Sequence, residues 1–224
     1  MPAFEYSAPN LNEIERMLSA DRLRPYQVSV GGNTELAVRL YEQNNLLAES
    51  LYGVLQGLEV SLRNTMHAQL AADFGRPEWF DILKLEPEQV AMLRKAKDSL
   101  AREGKPLDAG RIVAELSFGF WTGLTGPRYD VLWRDHLVKI FPRRPVQRVE
   151  VQKRLSSIRK LRNRIAHHEP ILFSGRLHKY ANQIFDTISW MSPITARWVR
   201  SNSSFDERFR GYRKIFPSND GAKL

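Results

Sequence analysis

An all-α helical bundle is the fold class that the sequence predicts. Apolar residues recur at spacings of three, four and seven along most of the chain, which is the helical period. No period-2 run of useful length occurs, and glycine or proline punctuates the periodic segments.

Taken in chain order, Asn10 with Glu13 has the spacing of a capping box ahead of Leu11, Ile14 and Leu18, and Arg24-Pro25 is expected to close that helix. Gly31-Gly32 breaks the chain. From Thr34 to Asp73 one pattern runs through Leu36, Leu40, Leu47, Leu51, Leu55, Leu58, Leu62, Met66 and Leu70. At 1.5 Å per residue this is a very long helix of about 60 Å, suited to a partner helix. Gly75 and Pro77 stop it. A helix beginning at Pro87 ends before Gly104. Asp108 is the expected cap of the next, which runs through Phe118, Phe120 and Trp121. Tyr129 to Ile140 follows, then a long helix from Val146 to His168 limited by Pro170. Helices from Arg176 to Trp190 and Pro193 to Arg200 complete the bundle. Residues 1–200 are expected to form one domain, and 201–224 a basic C-terminal tail with at most a short helix.

Composition narrows the function classes. Hydrophobic residues make up 42% and aromatics 10%, too apolar a mixture for a disordered chain. No apolar run approaches the roughly 20 residues of a spanning helix, so no membrane partner is expected. The first residues lack a basic segment followed by an apolar one, and a cytoplasmic location is the expectation. With no cysteine, thiol catalysis and cysteine-ligated zinc are excluded. His67, His136, His167, His168 and His178, the carboxylates and the basic side chains are left to carry chemistry. A net charge of +9 favours a polyanion, nucleic acid first.

The helix from Val146 to His168 holds the candidate site. Val151, Leu155, Ile158, Leu161 and Ile165 form its apolar stripe, and Arg162 lies on that stripe. A guanidinium there must snorkel out or be held by a partner, in an ion pair or in catalysis. Asn163 and His167, four apart, share another face, where an amide can orient an imidazole. His168, at the helix end, has capping of the last carbonyls as its competing role. Histidines that are neighbours in a helix point about 100° apart, a poor metal pair, and no metal or cofactor is expected.

Metal-free RNA cleavage needs a base for the 2′-hydroxyl, an acid for the leaving 5′-oxygen and a cation on the phosphate. Histidine suits the proton transfers and arginine the phosphate. Two copies across a two-fold axis supply a complete set, so a homodimer is expected.

The stretch Leu161-Arg162-Asn163-Arg164-Ile165-Ala166-His167-His168-Glu169-Pro170 resembles the signature of the Abi-like branch of the HEPN superfamily, a group associated with abortive phage infection. That superfamily's motif is an arginine, four to six residues and a histidine, often with a polar residue after the arginine. Glu59 to Asn64 and Val113 to Trp121 resemble the family as well, so the likeness spans roughly residues 35 to 190. It implies a dimeric helical bundle with the two motifs lining a shared cleft, and a metal-independent endoribonuclease acting as toxin or phage-defence effector, with an antitoxin or regulatory protein as a further partner. By that resemblance Arg162 holds the scissile phosphate, His167 is acid or base, and Asn163 orients them. His168, Arg164, Glu59 and Arg63 are supporting or alternative residues. The tyrosine that some HEPN toxins carry two residues after the histidine is replaced by Glu169 or Pro170.

Lesser candidates have competing structural roles. Glu59 with Arg63, and Arg63 with His67, have the spacing of helix-surface pairs. Glu115 is expected to be a buried partner for an arginine, Phe118, Phe120 and Trp121 to be core, with base stacking as their alternative role, and His136 and His178 to lack partners. Arg143, Arg144, Arg148, Lys153, Arg154, Arg159 and Lys160 make a basic helix edge, an RNA track or a solvated face. The rival to the nuclease is a HEPN-like adaptor that binds RNA or protein without cutting, and a metal-dependent nuclease is a third reading.

Overall fold

The computed structural model describes residues 4–217, and among these it is helical throughout with no strand. No helix there is long and apolar enough to cross a membrane. Eleven α-helices are joined by loops and four short 3₁₀ turns: α1 (Ala8–Leu18), α2 (Ala20–Ser29), α3 (Thr34–Phe74), α4 (Pro87–Arg102), α5 (Ala109–Glu115), α6 (Phe118–Gly123), α7 (Asp130–Asp135), α8 (Arg148–Ala166), α9 (Leu177–Met191), α10 (Pro193–Ser201) and α11 (Phe205–Ile215).

The chain forms two compact units. The first takes residues up to Gly53, Asn163–Ala181 and residues from Ser203 on, and the second takes Val54–Arg162 and Asn182–Asn202. Three of the four divisions fall inside α3, α8 and α9, and the fourth falls in the loop between α10 and α11.

In the first unit, Leu11, Leu23 and Val38 form a buried cluster with Tyr6, Ile14, Leu18 and Tyr41 packed around it. Its first helices depart from expectation. Asn10 is no cap: Ser7 holds that position, Pro9 occupies the first turn, where its missing N–H is harmless, and Asn10 Nδ2 donates back to the Glu5 carbonyl at 2.8 Å. Ser19, at φ 76°, separates α1 from α2. Pro25 then lies inside α2 instead of ending α1, tolerated in a helix whose Leu23 and Tyr26 are both fully buried. The segment expected to be a tail contains α11, because Phe205 and Tyr212 are buried and order it. Residues 218–224 of that segment lie outside the described residues.

In the second unit, Leu55, Leu58, Leu62, Met66 and Leu70 of α3 are buried at helical spacing. Trp79, Phe120 and Trp121 gather beside them, with Phe120 and Trp121 edge to face at 5.2 Å and Trp79 6.1 Å from Trp121. The segment through Phe120 is two helices, because Leu116 turns to ψ 128° and restarts the chain at α6. Likewise Tyr129 to Ile140 is broken at His136, after α7. His136 and His178 both have partners. His136 Nδ1 is 2.8 Å from Asp73 Oδ2, and Asp73 also accepts from Lys139 at 3.0 Å. Hydrogen bonds from His136, Gln69 and Lys139 hold the Asp73 carboxyl well below the usual carboxylate range. His178, in the first unit, lies 4.0 Å from Asp206 and packs against Phe209.

His67 is part of the core architecture. Its Nδ1 accepts the Trp79 indole N–H at 3.0 Å, the one polar handle of a fully buried ring. Burial pushes the imidazole pKa below its ordinary 6.5. The unfolded chain therefore takes up this proton first as pH falls. Stabilisation by neutral His67 is complete above pH 6.5 and is lost as pH drops through the lower, folded-state value. His67→Phe keeps an aromatic ring but leaves the indole N–H unpaired. It should cost about 1–3 kcal/mol in urea unfolding followed by tryptophan fluorescence, and weaken the loss of stability below pH 6.5. An unchanged midpoint and pH slope would contradict this role.

Candidate functional site

α8 is positioned by Val151, Leu155, Ile158 and Leu161, which are 0–3% exposed. This burial fixes the rotation of the helix and sets Arg162 beside the stripe. Arg162 Nε donates to Glu59 Oε1 at 3.1 Å. Its side chain keeps 41% of its exposure and that of Glu59 26%, so the pair is worth about 1 kcal/mol or less. The contact uses Nε alone, and the two terminal amino groups have no hydrogen-bond partner among the described residues. The result is a guanidinium held at one edge with its fork presented outward, a geometry suited to phosphate oxygens.

Glu59 therefore pairs with Arg162 and not with Arg63, its neighbour four residues on. Arg63 donates instead to Asn64 Oδ1 at 3.1 Å and to the Ala114 carbonyl at 3.3 Å, and His67 is taken by Trp79. Glu115 is exposed, not buried against an arginine. The chain reverses at Leu116 and turns Glu115 to solvent, and Arg111 pairs with its own cap, Asp108.

Arg162 belongs to the second unit and Asn163 to His168 belong to the first. The His167 N–H bonds the Asn163 carbonyl at 2.9 Å, so the backbone stays α-helical up to that residue. Distortion falls one residue later. The N–H of His168 bonds the Ile165 carbonyl at 3.1 Å, and that of Glu169 bonds the Arg164 carbonyl at 2.8 Å. These two bonds make a Schellman motif in which His168, at φ 56°, takes the left-handed place that glycine usually fills. Arg22 donates to the His168 carbonyl, and Arg164 Nη2 to the Pro170 carbonyl at 2.5 Å. The buried Asn44 accepts the Ile171 N–H at 2.8 Å. Arg164, Arg22 and Asn44 thus pin the end of the motif.

Asn163 and His167 are both exposed, and neither side chain has a partner among the described residues. The expected amide-to-imidazole hydrogen bond is not formed. Arg22 and Asn44 were not anticipated as supports. Asn44 carried a signal, because it lies on the buried stripe between Leu40 and Leu47, where a polar side chain needs a partner. Arg22 carried none.

The basic edge is thinner than its composition suggests. Arg144 pairs with Glu150 at 2.9 Å, and Arg148 with Asp130 at 3.1 Å. Arg154 lies over Trp190 at 4.1 Å and 3.5 Å from Asp186. Arg143, Lys153, Arg159 and Lys160 have no partner among the described residues and remain available to a polyanion. Among the described residues, no three His, Asp or Glu side chains gather as a group that holds a metal ion.

The left-handed position separates the two histidines by role. A left-handed non-glycine residue costs about 1–2 kcal/mol, so His168→Gly should hold or raise the thermal midpoint. His167→Gly, at the C-cap with its N–H still bonded to the Asn163 carbonyl, relieves no left-handed strain and should lower stability by up to about 1 kcal/mol, and with it the midpoint. Thermal unfolding of the two variants by circular dichroism checks the assignment, and the reverse order of midpoints would refute it. No protein-family model matches the chain, and no match is found among curated proteins or solved structures.

Proposed function

We propose that the chain is a metal-independent endoribonuclease of the HEPN kind, acting as a homodimer in toxin or phage-defence chemistry on RNA inside the cell. The observation that carries this reading is the state of Arg162: its side chain is 41% exposed and held through Nε by Glu59, with both terminal amino groups unpartnered among the described residues. The exposed imidazole of His167, five residues on in the motif, supports it.

In this mechanism Arg162 takes two oxygens of the scissile phosphate and stabilises the charge that builds as the 2′-oxygen attacks phosphorus. One imidazole removes the 2′-hydroxyl proton, and the His167 of a second copy protonates the departing 5′-oxygen. The P–O5′ bond breaks as the P–O2′ bond forms, leaving a 2′,3′-cyclic phosphate and a 5′-hydroxyl. Glu59 acts through Arg162 as a positioning residue. An antitoxin or regulatory protein would act by covering this surface or preventing pairing of the subunits.

A non-cutting adaptor is the second reading. The absence of a hydrogen bond between Asn163 and His167 favours it, because an unoriented imidazole is a poor proton shuttle.

Purified protein incubated with RNA in EDTA decides between them. Cyclic-phosphate products are expected, reduced at least 100-fold by Arg162→Ala and by His167→Ala. Glu59→Gln should give a smaller loss, seen mainly in KM. RNA binding without products would favour the adaptor, and cleavage abolished by EDTA would favour a metal-dependent nuclease.

A further inference from the structure

A cavity of about 480 Å³ lies within the second unit, between the first turn of α4, the end of α6 and one face of α8. This volume falls in the range of small-molecule sites. Its inner wall carries Gln89, which is 3% exposed. Gln89 Oε1 accepts the Tyr129 hydroxyl proton at 3.1 Å, and the same hydroxyl accepts the Glu86 backbone N–H at 2.8 Å. Burial raises the Tyr129 phenol pKa above its ordinary value and keeps that proton in place. With its oxygen engaged, the amide presents Nε2 as a donor, and Nε2 has no partner among the described residues. Nε2 stays accessible from the cavity, so the space in front of it is where a ligand or water supplies an acceptor.

The rest of the cavity fits the same purpose. A Cβ on Gly123 would overlap Gln89 Nε2, so the glycine makes room for the amide. Arg159 of α8 lines the mouth, with no ion-pair or hydrogen-bond partner among the described residues. It precedes Arg162 by three residues, about 4.5 Å along the same helix. Two carboxylates also line the cavity: Glu86, paired with Arg128 at 2.6 Å, and Glu88, which pairs with no cation among the described residues.

We infer that this cavity receives one nucleobase of an RNA strand, with Gln89 Nε2 donating to a base carbonyl and Arg159 holding the adjoining phosphate. This rests on the reading of Arg162 as a phosphate holder. With one lone pair of Oε1 taken by Tyr129, the amide meets the cavity chiefly as a donor, which matches the carbonyl edge of uracil or guanine better than the exocyclic amine of adenine.

Fluorescence anisotropy with 2′-O-methylated hexanucleotides of each base tests the inference. These probes lack the attacking hydroxyl, so the result does not depend on whether the protein cuts RNA. The intact protein should bind the uracil or guanine hexamer at least tenfold tighter than the adenine one. Gln89→Leu should reduce that ratio below threefold, and Arg159→Ala should weaken all four probes alike. Gly123→Ala, which displaces the amide without removing it, gives the same loss of discrimination should Gln89→Leu fail to fold. Equal binding of the four probes, a preference for adenine, or discrimination that survives in both variants would overturn the proposal. Displacement of the hexamer by a free nucleoside monophosphate at equal affinity would assign the cavity to a free nucleotide and overturn the strand assignment. Failure of the EDTA cleavage assay alone would count against the nuclease mechanism and leave this binding result standing.

Discussion

The buried face of α8 is the constraint on which the candidate site depends. Val151, Leu155, Ile158 and Leu161 leave almost no surface to water, and each is worth about 1.5–3 kcal/mol of burial. Their combined burial fixes the rotation of the helix far more firmly than any surface ion pair. Once it is fixed, Arg162 must emerge at the margin of the core, where an unpaired charge is costly and a carboxylate is welcome. Glu59 meets it there. The pair itself adds little stability, and its value lies in direction: one edge of the guanidinium is tethered and the other is presented. The same rotation carries Arg159 to the cavity beside α4.

The end of α8 solves a different problem. The last carbonyls of a helix need donors, and here the backbone N–H groups of His168 and Glu169 supply them in a Schellman turn. Filling its left-handed place with histidine costs conformational energy. Arg22, Arg164 and Asn44 each hold a backbone group of this turn or the residues after it. A segment braced by Arg164 of α8 itself and by Arg22 and Asn44 from outside it holds a histidine in a defined position.

Histidine placement also shows how burial sorts one residue type into different tasks. His67 is neutral and committed to Trp79, while His136 is committed to Asp73 beside Lys139. His167 alone combines exposure, a helical backbone and freedom from any partner among the described residues, the state a proton-transfer group requires before substrate arrives.

Helix content, the extent of α3, the apolar stripe of α8 and the core role of Phe118, Phe120 and Trp121 were legible in the sequence, because each is a matter of local period and punctuation. Pro25 within α2 and the ordering of α11 were not, since burial of Leu23, Tyr26, Phe205 and Tyr212 outweighs local propensity and appears only when distant segments pack. The Arg162-to-His167 spacing was readable, whereas the partner of Arg162 was not. Glu59 had an equally well-spaced arginine at Arg63, and only the tertiary structure, which brings Arg162 within 3.1 Å and turns Arg63 to the Ala114 carbonyl, chose between them. The Gln89 site was invisible for the same reason: its donor, its tyrosine clamp and its glycine lie on different elements, and their convergence belongs to tertiary structure alone.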